Sequence, residues 1–370
     1  MFRRFIIYFL FAAALGCAAA LWFWNHREKA VSRRAVVLLP IGQTVHIPAP
    51  LGLPPVPIPA DNPPTAETIA LGRRLFYDTV LSADNTVSCS TCHSPQHGFS
   101  DVRPVSLGIQ QKAGARNSLT ALNAVYFHQE FWDGRAASLE AQVEGPVQNP
   151  VEMGESFQGI EKKLNADPSY HVQFAQAWGP GPIQFQMVEK SIASFERTLV
   201  SGDSPFDRWK YGHDEKAVSA AVKRGFAVFT AKDKGNCAAC HSVGADSALF
   251  TDNKFHDIGV GVDFGKFNDD GLFAVTHNAA DRGKFKTPSL RNITMTAPYM
   301  HDGSMKTLKE VMDFYIGGGN SNPNLDSEVH KLDFLTRQER GDLLDFMNAL
   351  TGEMPPNSGP PPAESMTASR

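Results

Sequence analysis

Two pentapeptides in this 370-residue chain repeat one pattern, Cys-x-x-Cys-His: Cys89-Ser90-Thr91-Cys92-His93 and Cys237-Ala238-Ala239-Cys240-His241. The chemistry this spacing serves is covalent attachment of c-type haem. Two thiols three residues apart reach the two vinyl groups of one porphyrin, and the adjoining imidazole lies under the iron as proximal ligand. With 5 Cys and 12 His in the chain, chance supplies only on the order of 0.002 such matches. Two rival chemistries use the same thiols. One is a thioredoxin-like redox pair, and the other is a zinc site built from two Cys-x-x-Cys knuckles. Neither needs a histidine directly after the second cysteine. Haem attachment uses every cysteine except Cys17, so no disulfide is expected.

The elements that must position these motifs are helical. Val188, Ile192, Phe195 and Leu199 recur at three- and four-residue steps, as do Val222, Phe226 and Phe229, and Leu343, Phe346, Met347 and Leu350. Thr336 with Glu339 forms a capping box for the last of these helices, and Gly352 is its stop signal. Gly72-Arg73-Arg74-Leu75-Phe76 precedes the first motif as Arg224-Gly225-Phe226-Ala227-Val228-Phe229 precedes the second, the mark of one duplicated helix-and-haem unit. Alternating strand patterns are scarce. The glycine-rich stretch 244–288 reads as a long loop ordered by a bound group. The fold class is therefore mainly α, with two cytochrome c-like haem domains, long ordered loops and an N-terminal transmembrane helix.

That helix is expected from Phe5–Trp24, an uninterrupted apolar run behind Arg3 and Arg4, long enough to cross a bilayer. A cleaved signal segment is the competing reading. Cys17, after Ala14-Leu15-Gly16, imitates a lipoprotein site, but the apolar residues beyond it make it a small membrane residue. The expected divisions are 1–26 as anchor or signal segment, 27–64 as Pro-rich tether, 65–210 and 211–352 as haem domains, and 353–370 as a disordered tail. The charge balance, 35 basic against 39 acidic residues, supplies no field to hold nucleic acid. Because bacterial c-type haem is attached outside the cytoplasmic membrane, the body is expected in the periplasm.

Further segments, Gly114-Ala115-Arg116-Asn117-Ser118, Phe131-Trp132-Asp133-Gly134-Arg135-Ala136, Gly145-Pro146 with Glu152-Met153, and Ser289-Leu290-Arg291-Asn292-Ile293 with Thr296-Ala297-Pro298-Tyr299, stand in family order. With the haem motifs they make the chain resemble the bacterial di-haem cytochrome c peroxidases, and within them the methylamine-utilisation (MauG-like) branch. The resemblance implies an N-terminal haem that reacts with hydrogen peroxide and a C-terminal haem that exchanges electrons. It further implies that Trp132 lies between the haems and that Asn117, Thr296 and Pro298 bind calcium through oxygen atoms. Gln142 and Glu152 match the polar residues on the peroxide side, where a carboxyl moves a proton between the two peroxide oxygens.

Two departures from the activation-dependent peroxidases matter. Ile109 stands where they place a histidine that blocks the peroxide-binding iron, which leaves that iron open. His97 and His128, the nearest spare histidines, read as surface or structural residues. Tyr315 stands where the electron-transfer peroxidases place a methionine ligand, as in the methylamine-utilisation branch, with Met312 one turn earlier as competitor. These departures favour an enzyme that uses peroxide to oxidise a periplasmic partner protein. The alternatives are a peroxidase fed by a small cytochrome or cupredoxin, and a membrane-tethered electron carrier without catalysis.

Overall fold

Threonine and serine caps open most of the helices, as at Thr65, Ser138, Ser156, Ser204, Ser219, Thr307 and Thr336. In the computed structural model, which describes residues 38–362, the helices run as α1 (Ala66–Tyr77), α2 (Cys89–Cys92), α3 (Leu139–Gln148), α4 (Phe157–Ala166), α5 (Pro168–Trp178) and α6 (Phe185–Glu196), then α7 (Pro205–Lys210), α8 (Ala220–Thr230), α9 (Phe273–Thr276), α10 (Leu308–Gly317) and α11 (Arg337–Asn348). Two antiparallel pairs of two-residue strands, β1 (Phe255–His256) with β4 (Phe285–Lys286) and β2 (Val262–Asp263) with β3 (Lys266–Phe267), lie in the glycine-rich stretch read as loop. The fold is mainly α.

Two helix pairs form its frame. α1 packs on α6, and α8 packs on α11. Each crossing is made at a glycine. A Cβ on Gly72 would collide with the Ser191 carbonyl, and a Cβ on Gly225 with the Asp342 carbonyl, so only glycine lets the axes come this close. The expected duplication is thus visible as packing geometry. Behind the second crossing, Phe206, Phe226, Phe229, Phe250 and Phe346 form one cluster of edge and tilted ring contacts. The capping box at Thr336 is present, with Glu339 accepting from the Thr336 amide at 2.8 Å. α11 ends at Asn348, before Gly352, which instead lies against the Gly202 carbonyl.

Proline keeps residues 40–64 free of helix and sheet, yet from Pro40 the described chain belongs to one packed unit. Ile47 and Leu53 are buried beside Ala124, Val125, Tyr126 and Leu139. The Gly52 carbonyl accepts from Arg291, whose guanidinium also forms a fully buried double ion pair with Asp207 at 2.8 and 2.9 Å. This part of the expected tether is therefore held against the body. The start of the expected tail is held as well: Tyr77 donates to the Ser358 carbonyl, and Arg73 to the carbonyls of Gly359 and Pro360. The apolar run Phe5–Trp24 and residues 363–370 lie outside the described residues. Among the described residues no helix is long and apolar enough to cross a membrane.

At Ser201, within the stretch near 200–215 expected as the border between the halves, the chain makes a junction. Asn123 donates to the Ser201 carbonyl at 2.9 Å, Asn292 donates to the Ser201 hydroxyl at 2.9 Å, and that hydroxyl donates to the Glu353 carbonyl at 2.8 Å.

Candidate haem and peroxide site

At the first motif, Ser88 and Thr91 cap the single turn α2, which sets Cys89 and Cys92 three residues apart. His93 closes that turn, its amide donating to the Cys89 carbonyl at 2.9 Å. Its Nδ1 lies 3.1 Å from the Phe99 carbonyl and 3.3 Å from the Ser118 hydroxyl, which itself donates to the Cys92 carbonyl at 3.0 Å. The second motif repeats the arrangement. The His241 amide donates to the Cys237 carbonyl at 2.8 Å, and His241 Nδ1 lies 2.9 Å from the Phe250 carbonyl. Phe99 and Phe250 are both fully buried with φ of 56° and 53°, a backbone state costly for a bulky residue. Each turns its carbonyl onto the imidazole.

These contacts provide the fit test for haem. A carbonyl on Nδ1 fixes the proton there and leaves Nε2 as the ligating nitrogen. Burial pushes both imidazoles below their ordinary pKa, so both are neutral, as an iron ligand must be. The four cysteines form no disulfide, and burial pushes the Cys237 thiol up to about 12 and Cys89 further. Among the described residues no group of His, Cys, Asp or Glu is placed to hold a metal ion on its own, which removes the two-knuckle zinc reading. The residues fit two covalently held haems.

A cavity of about 250 Å³ opens at the second motif, walled by Cys237, Cys240, His241, Leu290, Met312 and Tyr315. Tyr315, on α10, has no hydrogen bond to its hydroxyl. Burial raises its pKa and the nearby Cys237 and Cys240 sulfurs raise it further. The phenol therefore opens onto the space beside both attachment sulfurs. Met312 also borders the cavity but belongs to the packed core with Phe346 and Leu343.

The same cavity reaches Trp132, Asn117, Thr296 and Pro298. Trp132 Nε1 donates to the Asn117 carbonyl at 2.9 Å, and the Asn117 amide donates to the His301 carbonyl at 2.7 Å. Asn117 donates its side-chain nitrogen to the carbonyls of Arg103 and Pro104.

His301 was not legible as a site residue. Its ring stacks on Phe285 at 3.6 Å and meets the Trp132 ring edge-on at 6.4 Å. Residues 130–136 and 299–305 are the same turn used twice, each closed by a bridge, Glu130 with Ala136 and Tyr299 with Met305. Each turn carries positive φ at Phe131 and Gly134, or Met300 and Gly303. His301 is thus the counterpart of Trp132. Comparing Trp132-Asp133-Gly134 with His301-Asp302-Gly303 is the sequence signal that would have found it.

On the other side of the first motif, the Ile109 amide donates to the Glu152 carbonyl at 2.8 Å, and Ile109 is buried against Gly154. The Glu152 carboxyl accepts from Asn149 at 2.7 Å, and burial pushes its pKa up against the pull of Asn149 and Arg135. Its charge is felt at the Cys92 thiol. Glu152 and Ile109 therefore meet beside the first motif. Gln142 lies on α3, which runs directly into Asn149, and no hydrogen bond joins it to Glu152. His97 and His128 are exposed.

Comparison with known proteins agrees with this geometry. A family model described as di-haem cytochrome c peroxidase matches residues 66–215. The methylamine utilization protein MauG of Methylorubrum extorquens is 44% identical over 301 residues, covering 80% of this chain and 82% of that protein. Cytochrome-c peroxidase IdrP1 of Pseudomonas sp. (strain SCT) is 38% identical over 333 residues, 82% of this chain and 86% of the relative. A crystal structure of a MauG-like protein associated with microbial copper homeostasis matches with a TM-score of 0.77 at 35% identity, over 84% of this chain and 98% of that one.

Proposed function

We propose that this chain, which belongs to the di-haem cytochrome c peroxidase family, reacts with hydrogen peroxide on the His93 side and spends the oxidising equivalents on a partner protein. As a family member it is a peroxidase-type oxidoreductase. Cys89, Cys92 and His93 would hold one c-type haem and Cys237, Cys240 and His241 a second, which would supply one-electron chemistry in each half.

The chain's own residues do the rest. Ile109 offers no ligating atom, so peroxide has access beside Glu152. Glu152, held by Asn149 and given a higher proton affinity by burial, takes as carboxylate the proton from one peroxide oxygen and returns it to the other as the O–O bond opens. Gln142 orients the peroxide through its amide. Trp132, anchored by its Nε1 hydrogen bond, is the aromatic step between the two halves. Asn117 Oδ1 and the carbonyls of Thr296 and Pro298 hold calcium, whose hard oxygen preference they meet.

The observation that carries the choice of a protein substrate is Tyr315, a phenol without hydrogen bonds beside Cys237 and Cys240. An oxygen ligand stabilises the oxidised metal more than a thioether does, and suits that half to holding an oxidising equivalent. The body is assigned to the periplasm, with the Phe5–Trp24 run as its membrane anchor.

The test compares the native protein with Tyr315→Met. The native protein, given peroxide and the product of a neighbouring gene, should change the mass of that product. The variant should lose this activity, show a raised C-terminal potential, and keep or improve electron uptake from a small cytochrome. Mass change at the native rate in Tyr315→Met refutes the role of Tyr315. If neither form modifies a protein and both turn over peroxide with a small donor, the protein is a peroxidase.

A further inference from the structure

The last turn of α6 carries two ionisable side chains that the peroxide chemistry leaves unused. Glu196 is 7% exposed, and its Oε2 is buried without a hydrogen bond. Arg197 is 4% exposed, gives one terminal nitrogen to Glu140 at 2.8 Å, and leaves Nε and its other terminal nitrogen buried and unpartnered. Such atoms are rare in a finished interior, because each forfeits the solvation it had in water. Glu196 lies near the first motif: after burial, its charge is the largest influence on the Cys89 thiol. That sulfur is the atom to which the edge of a porphyrin bonds.

We propose that Glu196 is a proton site coupled to the redox state of the N-terminal haem, taking one proton from solvent when that haem gains one electron and returning it on reoxidation. This rests on the reading that a haem is attached at Cys89. An ionised carboxylate close to the porphyrin edge, in a medium of low dielectric, favours the oxidised iron, and a neutral carboxyl favours the reduced one. Linkage makes the effect reciprocal, so reduction raises the proton affinity of Glu196.

The surroundings keep the group poised for this. Burial, then Glu130, then Glu140 push its pKa up to about 8, against the opposing pull of Arg197. Glu130, from the turn before Trp132, faces the buried Lys286 of β4 at 3.6 Å. From α1, Tyr77 stands near Phe195, while Arg74 turns away to Ser169 and Gln173. On α6 itself, Lys190 points to Asp61 and Glu189 is influenced by Glu144. Glu196 and Glu152 give the first haem two separate proton-holding carboxyls.

The test is a spectroelectrochemical titration of the holoprotein from about pH 6 to about pH 10, with the N-terminal haem followed by its own spectrum. In the native protein the reduction equilibrium of that haem should fall by up to tenfold per pH unit, about 59 mV for a one-electron couple. Glu196→Gln should lose most of that slope, and Glu196→Asp should keep it. A flat native response, or an unchanged slope in Glu196→Gln, overturns the proposal. Redox-difference infrared spectra of the native protein need no variant. They should show a protonated-carboxyl band that moves in D2O and tracks the N-terminal haem, and its absence equally overturns the proposal. The mass of the Cys89–Cys92 peptide separates the two readings. A peptide without haem refutes attachment and this inference together, whereas a haem-bearing peptide with no proton coupling refutes only the inference.

Discussion

Gly225 and Gly341 stand in the two helices of one packed pair, and changing each to alanine should move stability in opposite directions. In a helix interior alanine is favoured over glycine by about 1 kcal/mol, because glycine loses more backbone freedom on folding. Gly341 is exposed on α11 with nothing within 4 Å of an added Cβ, so Gly341→Ala should gain most of that amount. At Gly225 the new Cβ would strike the Asp342 carbonyl and come to 2.9 Å from the Phe346 Cβ. The Asp342 carbonyl is backbone, held by its own helix, so relief requires α11 to slide away from α8. That movement pulls the Phe346 ring from Phe206, Phe229 and Phe250, whose centroids lie 5.6, 4.9 and 6.1 Å from it. Overpacking of this kind costs about 1–3 kcal/mol, and aromatic contacts add about 0.5–1.5 kcal/mol each. With the roughly 1 kcal/mol alanine gain set against these losses, the net expectation for Gly225→Ala is a loss of about 1.5 kcal/mol or more, against a gain of up to about 1 kcal/mol for Gly341→Ala. Guanidinium unfolding of the holoproteins, followed by far-ultraviolet circular dichroism, measures both. Equal midpoints for the two variants would refute the claim that the glycine contact sets the helix spacing.

Three further outcomes follow from the site. Glu152→Gln should keep both haems but slow the single-turnover reaction with peroxide by roughly a hundredfold or more, as loss of an acid-base group does; native stopped-flow rates would remove Glu152 from the mechanism. Ile109→His should place an imidazole beside Glu152 and convert the resting N-terminal haem to a six-coordinate low-spin form that reacts with peroxide only after reduction, and an unchanged electron paramagnetic resonance spectrum would count against this placement. Asp207→Asn leaves the buried Arg291 guanidinium without its counter-charge and should cost about 3–5 kcal/mol, seen as a lower denaturation midpoint with residues 40–64 newly open to proteolysis.

The parts of this molecule legible in its sequence are those fixed by local chemistry. Both Cys-x-x-Cys-His motifs, the helices with a clear apolar stripe, and the capping box of Thr336 and Glu339 depend on neighbours a few residues away, and periodicity and spacing report such neighbours directly. The resting places of Pro40–Pro64 and of residues 353–360 do not. Proline announces the absence of helix, but whether an extended segment lies on a surface depends on distant partners such as Arg291 for Gly52 or Tyr77 for Ser358. Glu196 was illegible for a similar reason. A glutamate in an amphipathic helix reads as solvated until the fold places Cys89 and Glu130 against it. His301 was hidden differently, since the repeat that pairs it with Trp132 retains only Asp-Gly in common, and the shared turn is visible chiefly in the backbone.

The two glycine crossings also impose an order on assembly. Each attachment motif follows the first helix of its pair, α1 or α8, and precedes the second, α6 or α11. As the chain emerges, each thiol pair is exposed while the helix that will close over its half has yet to arrive. Haem ligation thus has a window set by the distance along the polypeptide from motif to closing helix. Once Gly72 meets Ser191, or Gly225 meets Asp342, the aromatic and aliphatic walls shut around the group already in place. A chain that folds ahead of ligation would offer the haem cysteines that are already partly buried.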